Sequence, residues 1–186
     1  MTPTVGRRIV VYGWAGSGKT AASRRIGAAL GLPVIELDAL FWRPRWQPSP
    51  VDEFRAAVLG ALAACPDGWV CDGNYAMIRG DILPLADTAV WLRLPFRTAY
   101  WRLVKRTVGR ALKQEPLWHD NRESFSSRVS LLLSEIKQWG LGQRGLIQDF
   151  QDVPHRAAIV ELRSPREVEA FLRHLEAPAS PSPMPG

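Results

Sequence analysis

Short apolar runs alternate with segments of helical periodicity along most of the chain. The apolar runs predict five strands, at 7–12, 32–37, 69–72, 88–94 and 157–162. Apolar positions at helical spacing predict helices at 19–30, from about 50, from 96 to about 112, at about 121–139 and from 165. The stretch 41–50, which holds two tryptophans and three prolines, predicts a loop.

The predicted strands are continuous apolar runs rather than alternating ones, which is typical of a parallel sheet covered on both faces. Their alternation with helices predicts an α/β fold with three layers, in which helices cover both sides of a five-stranded parallel sheet. Ligands of such sheets bind beyond the carboxyl ends of the strands. The candidate site residues therefore lie in the segments 13–20, 38, 72–75, 94–97 and 163.

Local signals mark the beginnings of two helices. Ser49 and Pro50 supply a cap and a first helical residue. Ser164 and Glu167 have the spacing of a capping box at the start of the last helix. Tryptophans in predicted strands or helices are expected in the core, namely Trp69, Trp91, Trp101 and Trp139.

Composition places the chain among globular proteins. Of 186 residues, 46% are apolar and 23% are charged, which excludes wholesale disorder, a collagen-like repeat and a coiled-coil rod. No apolar run is long enough to span a membrane, and the first residues lack a signal-peptide pattern. Cys65 and Cys71 supply neither a disulfide scaffold nor a four-ligand zinc site. We expect one cytoplasmic domain at 1–176, a monomer or homodimer without a membrane partner, followed by a disordered tail at 177–186.

The segment Gly-Trp-Ala-Gly-Ser-Gly-Lys-Thr at 13–20 carries the strongest chemical signal. It matches G-x-x-x-x-G-K-[ST], in which a curled backbone points several N–H groups at one phosphate chain. A glycine-rich structural turn is the alternative, but the segment follows a strand and opens a helix, as phosphate binding requires. Lys19 would reach the β- and γ-phosphates, and Thr20 would bind Mg²⁺. The nucleotide-binding residues predicted here are Gly13, Ala15, Gly16, Ser17, Gly18, Lys19, Thr20 and Ala21.

Further features indicate which nucleotide binds and which residues hold its metal ion. No Asn-Lys-x-Asp guanine motif occurs, so we expect ATP rather than GTP. Asp72 ends an apolar strand, which is the position of the carboxylate that holds Mg²⁺ in proteins with this kind of phosphate-binding loop. A turn or capping role for Asp72 is the alternative. Asp38 closes the second strand and either orients Mg²⁺ or accepts the proton of an attacking hydroxyl, unless it caps a helix.

A basic run without any acidic residue follows the fourth strand, at 93–113. Arg102, Arg106 and Arg110 are four residues apart and so form one stripe along a helix. These like charges repel one another, and an anion with several phosphates would relieve the repulsion; a solvated face is the alternative. The net charge of +6 also favours anionic partners. Nucleic acid therefore stays open as a partner, although it is not the favoured one.

Together these features resemble the small P-loop kinases of the adenylate kinase-like group, and within it the bacterial DNA topology modulation proteins. The matching segments are 13–20, 37–42, 72–75, 91–95, 101–102 and 162–165. The resemblance implies a sheet order of 2-3-1-4-5, the use of ATP and Mg²⁺, and a lid at about 106–145 that bears the catalytic Arg106 and Arg110. It makes Lys19 catalytic, and it brings Arg102 and Arg163 to the nucleotide, Arg163 from the loop that touches adenine.

The same resemblance places the second substrate between the lid and the loops after the second and third strands. The acceptor-side candidates are Asp38, Trp42, Gly73, Asn74 and Tyr75, although Trp42 either stacks on the acceptor or covers the end of the sheet. Nucleoside monophosphate kinases carry Asp-Gly-x-Pro-Arg where this chain has Asp-Gly-Asn-Tyr, and Arg79 is the candidate for the missing arginine. We expect ATP-dependent phosphoryl transfer to a small molecule, similar to that of a nucleoside monophosphate kinase. An ATP-switched nucleic-acid-binding regulator is the alternative.

Overall fold

The structure, a computed structural model, describes residues 5–113 and 143–177, without the side chains of 106–113. In chain order its elements are β1 (Arg8–Gly13), α1 (Lys19–Leu30), β2 (Val34–Glu36), α2 (Leu37–Phe41), β3 (Trp42–Arg43), β4 (Gln47–Pro48), α3 (Val51–Ala63), β5 (Trp69–Asp72), α4 (Ala76–Ile82), β6 (Thr88–Leu92), α5 (Phe96–Lys113), α6 (143–152), β7 (Ala158–Leu162) and α7 (Pro165–Glu176). Two 3-10 turns, Pro44–Trp46 and Leu83–Leu85, complete the described elements.

Five strands form one parallel sheet in the order β2-β5-β1-β6-β7, which confirms the α/β class. The numbering differs from the predicted 2-3-1-4-5 because the unpredicted β3 and β4 pair separately as an antiparallel hairpin. In the register, Val11 of the central β1 lies beside both Asp72 and Val90. The loops that follow β1, β5 and β6 therefore emerge at one edge of the sheet.

Each face of the sheet carries its own apolar core, as expected for three layers. On one face, α3, α4 and α6 cover side chains such as Tyr12 and Trp91, with Phe54 fully buried among them. On the other face, α1 and α7 cover Ile9 and Val11. Ser164 and Glu167 form the predicted hydrogen bonds at the start of α7, where the Glu167 N–H donates to the Ser164 hydroxyl.

Three sequence-based expectations are wrong in detail. Residues 41–50 are not simply a loop, because α2 and the β3–β4 hairpin occupy much of the stretch 37–48. Asp38 consequently lies in the first turn of α2 rather than at the end of β2. Pro50 is the N-cap of α3 and not its first residue.

Trp101 is 64% exposed rather than buried in the core, whereas Trp69 and Trp91 are buried as predicted. The reason is the orientation of α5, which turns Ala99 and Leu103 toward the loop after β1 and leaves Trp101 on the opposite side. Cys71 is a buried free thiol and Cys65 a half-buried one.

The predicted helix at 121–139, most of the predicted lid at 106–145 and the tail at 178–186 lie outside the described residues. Within the described ranges, no helix is both long and apolar enough to cross a bilayer.

Candidate active site

The loop between β1 and α1 has the backbone geometry that its glycines predict. Gly16 and Gly18 adopt positive φ values of 79° and 93°, which L-residues rarely adopt. A Cβ atom on Gly16 would lie 2.2 Å from the Ala99 carbonyl oxygen, so α5 packs directly against this loop. Only glycine satisfies both the curvature and the close approach at this position.

The beginning of α1 is open to an anion. Its N-cap, Gly18, offers no side chain, and the first turn contains no acidic residue, so nothing in α1 itself neutralises the positive end of the helix. The first N–H groups of a helix lack intrahelical partners, and here they adjoin the curled loop. The Lys19 ammonium lies beside them, where it donates a hydrogen bond to the Trp14 carbonyl oxygen at 3.2 Å. Backbone N–H groups and one cation thus lie together at the beginning of α1, as phosphate binding requires.

Asp72 ends β5 next to this loop and is only 6% exposed. Burial raises the pKa of its carboxyl group, whereas the Lys19 charge and a hydrogen bond from the Thr20 hydroxyl act in the opposite direction. Its Oδ1 atom is buried and has no hydrogen-bond partner among the described residues. A hydroxyl group beside an incompletely satisfied carboxylate fits Mg²⁺, which binds oxygen and retains several waters.

On the acceptor side, α2 and the loop after β5 bring three predicted residues together. The Tyr75 hydroxyl donates to Asp38 Oδ1 at 2.5 Å, and the Trp42 side chain lies close enough to the Tyr75 hydroxyl to lower its pKa slightly. Burial and the Asp38 charge raise the pKa of Tyr75, so its phenol stays protonated and remains a donor. Asp38 is thereby held in one orientation.

An aromatic cluster supports these side chains. Phe41 lies 4.7 Å from Tyr75 and 4.9 Å from Trp42, measured between ring centroids. Phe54 of α3 lies 5.0 Å from Tyr75, and Trp46 lies 5.6 Å from Trp42. Nothing in the sequence signals that Phe54 supports Tyr75, because the two residues lie on separate elements.

Gly73 and Asn74 lie between Asp72 and Tyr75, in the loop after β5. Gly73 has φ +153°, and a Cβ atom there would lie 2.7 Å from the Leu37 Cβ, so glycine is needed for α2 to approach β5. Asn74 Oδ1 is buried without a hydrogen-bond partner among the described residues. Asp38 and Glu36 both raise the pKa of Asp72, which puts the acceptor side within electrostatic range of the candidate metal site.

The predicted arginines divide into three groups. Arg102 donates to the Ser17 carbonyl oxygen at 3.5 Å and so lies at the loop, as expected of a nucleotide contact. Arg163 is exposed and pairs instead with Glu161 at 2.9 Å. Arg106 and Arg110 belong to α5, but their side chains lie outside the described part.

Arg79 does not replace the missing monophosphate-binding arginine. Its side chain is only 4% exposed and forms an ion pair with Asp149 of α6. The sequence contained no signal for this contact, because it joins residues 70 positions apart. A phosphate would have to displace Asp149 to reach the guanidinium.

No family model matches the chain. A curated shikimate kinase from Paramagnetospirillum magneticum is 30% identical over 119 residues, which cover 57% of this chain and 59% of that enzyme. The chain therefore spans about three-fifths of that relative's length. The crystal structure of a gluconokinase from Sinorhizobium meliloti superposes with a TM-score of 0.51 at 22% identity, over 94% of this chain and 95% of that chain. This likeness shows that the chain shares the fold of that structure.

Proposed function

We propose that the protein transfers the γ-phosphoryl group of ATP to a hydroxyl group of a small molecule. The observation that carries the proposal is the buried carboxylate of Asp72, which ends the strand beside the phosphate-binding loop, together with Asp38, which follows the neighbouring strand and is held by the Tyr75 hydroxyl. A structural glycine turn would not need a buried carboxylate beside it. The curated kinase relative supports the same class of reaction.

The nucleotide side would bind ATP through the loop N–H groups, the beginning of α1 and Lys19. Arg102, already at the loop, would add a second cation beside the phosphates. Thr20 and Asp72 would hold Mg²⁺, which when bound neutralises charge on the β- and γ-phosphates. We also propose that Arg106 and Arg110 stabilise charge on the transferring group, as the resemblance implies.

On the acceptor side, Asp38 would act as the general base. The acceptor oxygen forms a bond to the γ-phosphorus while the bond from that phosphorus to the bridging oxygen of ADP breaks. The hydroxyl proton passes to Asp38, and Tyr75 keeps the carboxylate aimed at it. Trp42, which packs against Phe41 and lies near the Tyr75 hydroxyl, would help to hold Tyr75 in place.

The charges on the described part of this side support one class of acceptor over another. Arg79, the candidate for binding a monophosphate, forms an ion pair with Asp149, and Arg43 forms one with Glu53. We therefore place small hydroxy compounds, such as hydroxy acids and sugars, ahead of nucleoside monophosphates. The curated relative, a shikimate kinase, supports that order.

The proposal is tested by measuring ADP formation from Mg²⁺-ATP across a panel of shikimate, other hydroxy acids, small sugars, nucleosides and nucleoside monophosphates. We expect one acceptor to stimulate turnover, and Lys19→Ala to abolish the stimulation. Arg166→Ala, which removes an exposed cation on α7, serves as the matched control. Slow hydrolysis that no acceptor stimulates would contradict the proposal. It would favour the nucleic-acid-binding regulator implied by the resemblance to DNA topology modulation proteins, which salt-dependent duplex binding would then test.

A further inference from the structure

One buried ion pair links the acceptor side to the helix that follows residues 114–142. Arg79 lies on α4, one turn after Tyr75, which is the N-cap of that helix. The Arg79 guanidinium donates to the carboxylate of Asp149 on α6. The arginine is 4% exposed and the aspartate 32%, so the contact is largely removed from water.

The same ion pair reaches the central strand. The Arg79 guanidinium lies 6.0 Å from the centroid of the Tyr12 ring, and Tyr12 directly precedes Gly13 of the phosphate-binding loop. Phe150, next to Asp149, contacts Tyr12 at 6.0 Å and Trp91 at 5.8 Å between ring centroids. Thus β1, α4 and α6 meet at one guanidinium.

Stability alone is a weak reason for such a pair. Apolar residues of similar volume often replace a buried ion pair without loss of stability, whereas removal of one partner leaves a costly unpaired charge. Arg79 Nε and the Tyr12 hydroxyl are also buried without hydrogen-bond partners among the described residues, which adds to the cost. What a directional pair supplies, and an apolar contact does not, is a fixed position of α4 relative to α6.

We propose that Arg79 and Asp149 are positioning residues for the acceptor side. By fixing α4 they fix Tyr75 at its first turn, and through the Tyr75 hydroxyl they fix the orientation of Asp38. The catalytic consequence rests on the function proposed above. The mechanical part, that the pair holds the loop at 73–75 and the start of α4, does not depend on any activity.

The test replaces both charges by apolar residues, in the double variant Arg79→Met with Asp149→Leu. The control is Arg25→Met with Glu176→Leu, which removes an ion pair between α1 and α7 on the opposite face of the sheet. The first measurement is amide hydrogen exchange without substrate. We expect faster exchange at 73–82 in the double variant, with thermal unfolding close to that of the parent, and no change at 73–82 in the control.

The second measurement is steady-state kinetics with the acceptor that the parent uses. We expect kcat/KM for the acceptor to fall about tenfold to a hundredfold, because a small misplacement of catalytic groups is costly. The KM for ATP should stay within about twofold, since the phosphate-binding loop is unaltered. Unchanged exchange at 73–82 would overturn the proposal, and so would a double variant that unfolds much earlier than the parent, since the pair would then serve stability. A parent without transfer activity would refute the proposed function, while the exchange measurement would still decide the positioning role.

Discussion

The nucleotide side and the acceptor side of this site are built by different means. On the nucleotide side, backbone geometry does most of the positioning, through the positive φ values of Gly16 and Gly18 and the uncapped beginning of α1. On the acceptor side, side chains position one another, as Tyr75 does for Asp38. The first arrangement suits a ligand part shared by all nucleotides, whereas the second can specify an individual acceptor.

The two sides should therefore fail differently when each loses its central group. Lys19→Ala is expected to lower acceptor-dependent phosphoryl transfer by about 10²–10³-fold and to lower background ATP hydrolysis with it. Asp38→Asn should lower the transfer to a comparable extent but leave background hydrolysis in place, because the nucleotide side is intact. Parallel assays of ADP formation with and without acceptor check this. Equal loss of both reactions in Asp38→Asn would remove the distinction between the sides.

Asp72→Asn is expected to separate activity from stability. Loss of the carboxylate should lower Mg²⁺-dependent turnover about tenfold to a hundredfold. The same change should raise the unfolding temperature of the ligand-free protein at neutral pH, because burial makes the charged form of Asp72 costly and asparagine removes that charge.

The pH dependence of this stabilisation has a definite sign. The folded-state pKa of Asp72 is raised, so the cost of ionising it grows as pH rises from the unfolded-state value of about 4 through the folded-state value. The advantage of Asp72→Asn should be largest at neutral pH and vanish below about pH 4. Calorimetric scans across this range measure it, and an advantage that grew toward acid would contradict the assigned cause.

Tyr75→Phe tests whether side chains position Asp38. The ring and its packing against Phe41 and Phe54 remain, but the hydrogen bond to Asp38 is lost. We expect kcat to fall about tenfold, since a hydrogen bond to a charged group is removed, with the KM for ATP unchanged. Tyr100→Phe on α5 is the matched control. If both variants kept the parent kcat, Asp38 would not depend on Tyr75.

Arg163→Ala should have the smallest effect. Its guanidinium is exposed and held by Glu161, and an exposed ion pair contributes little. We expect the KM for ATP to change by less than about twofold, compared with a larger rise for Arg102→Ala at the loop. A large rise for Arg163→Ala alone would place this arginine at the nucleotide after all, as the resemblance implies.

The sequence predicts the nucleotide side better than the acceptor side, because local patterns determine the first and long-range packing determines the second. The glycine pattern predicts the loop at 13–20, and the apolar runs predict the parallel sheet. Residues that are adjacent in the sequence therefore determine both. Asp38, Trp42 and Tyr75 were predicted as members of one site, but the hydrogen bond from Tyr75 to Asp38 was not predicted. The support from Phe54 and the pairing of Arg79 with Asp149 depend on packing between distant segments, which no local pattern encodes.

The most direct test of the account follows the phosphoryl group itself in the Asp38→Asn variant. Phosphorus NMR of Mg²⁺-ATP with the stimulating acceptor should show a new phosphomonoester signal for the parent protein and almost none for Asp38→Asn. Titration calorimetry should at the same time show that the variant binds ATP as the parent does. A phosphomonoester formed equally well without the Asp38 carboxylate, or ATP converted only to ADP and inorganic phosphate by the parent, would contradict the account.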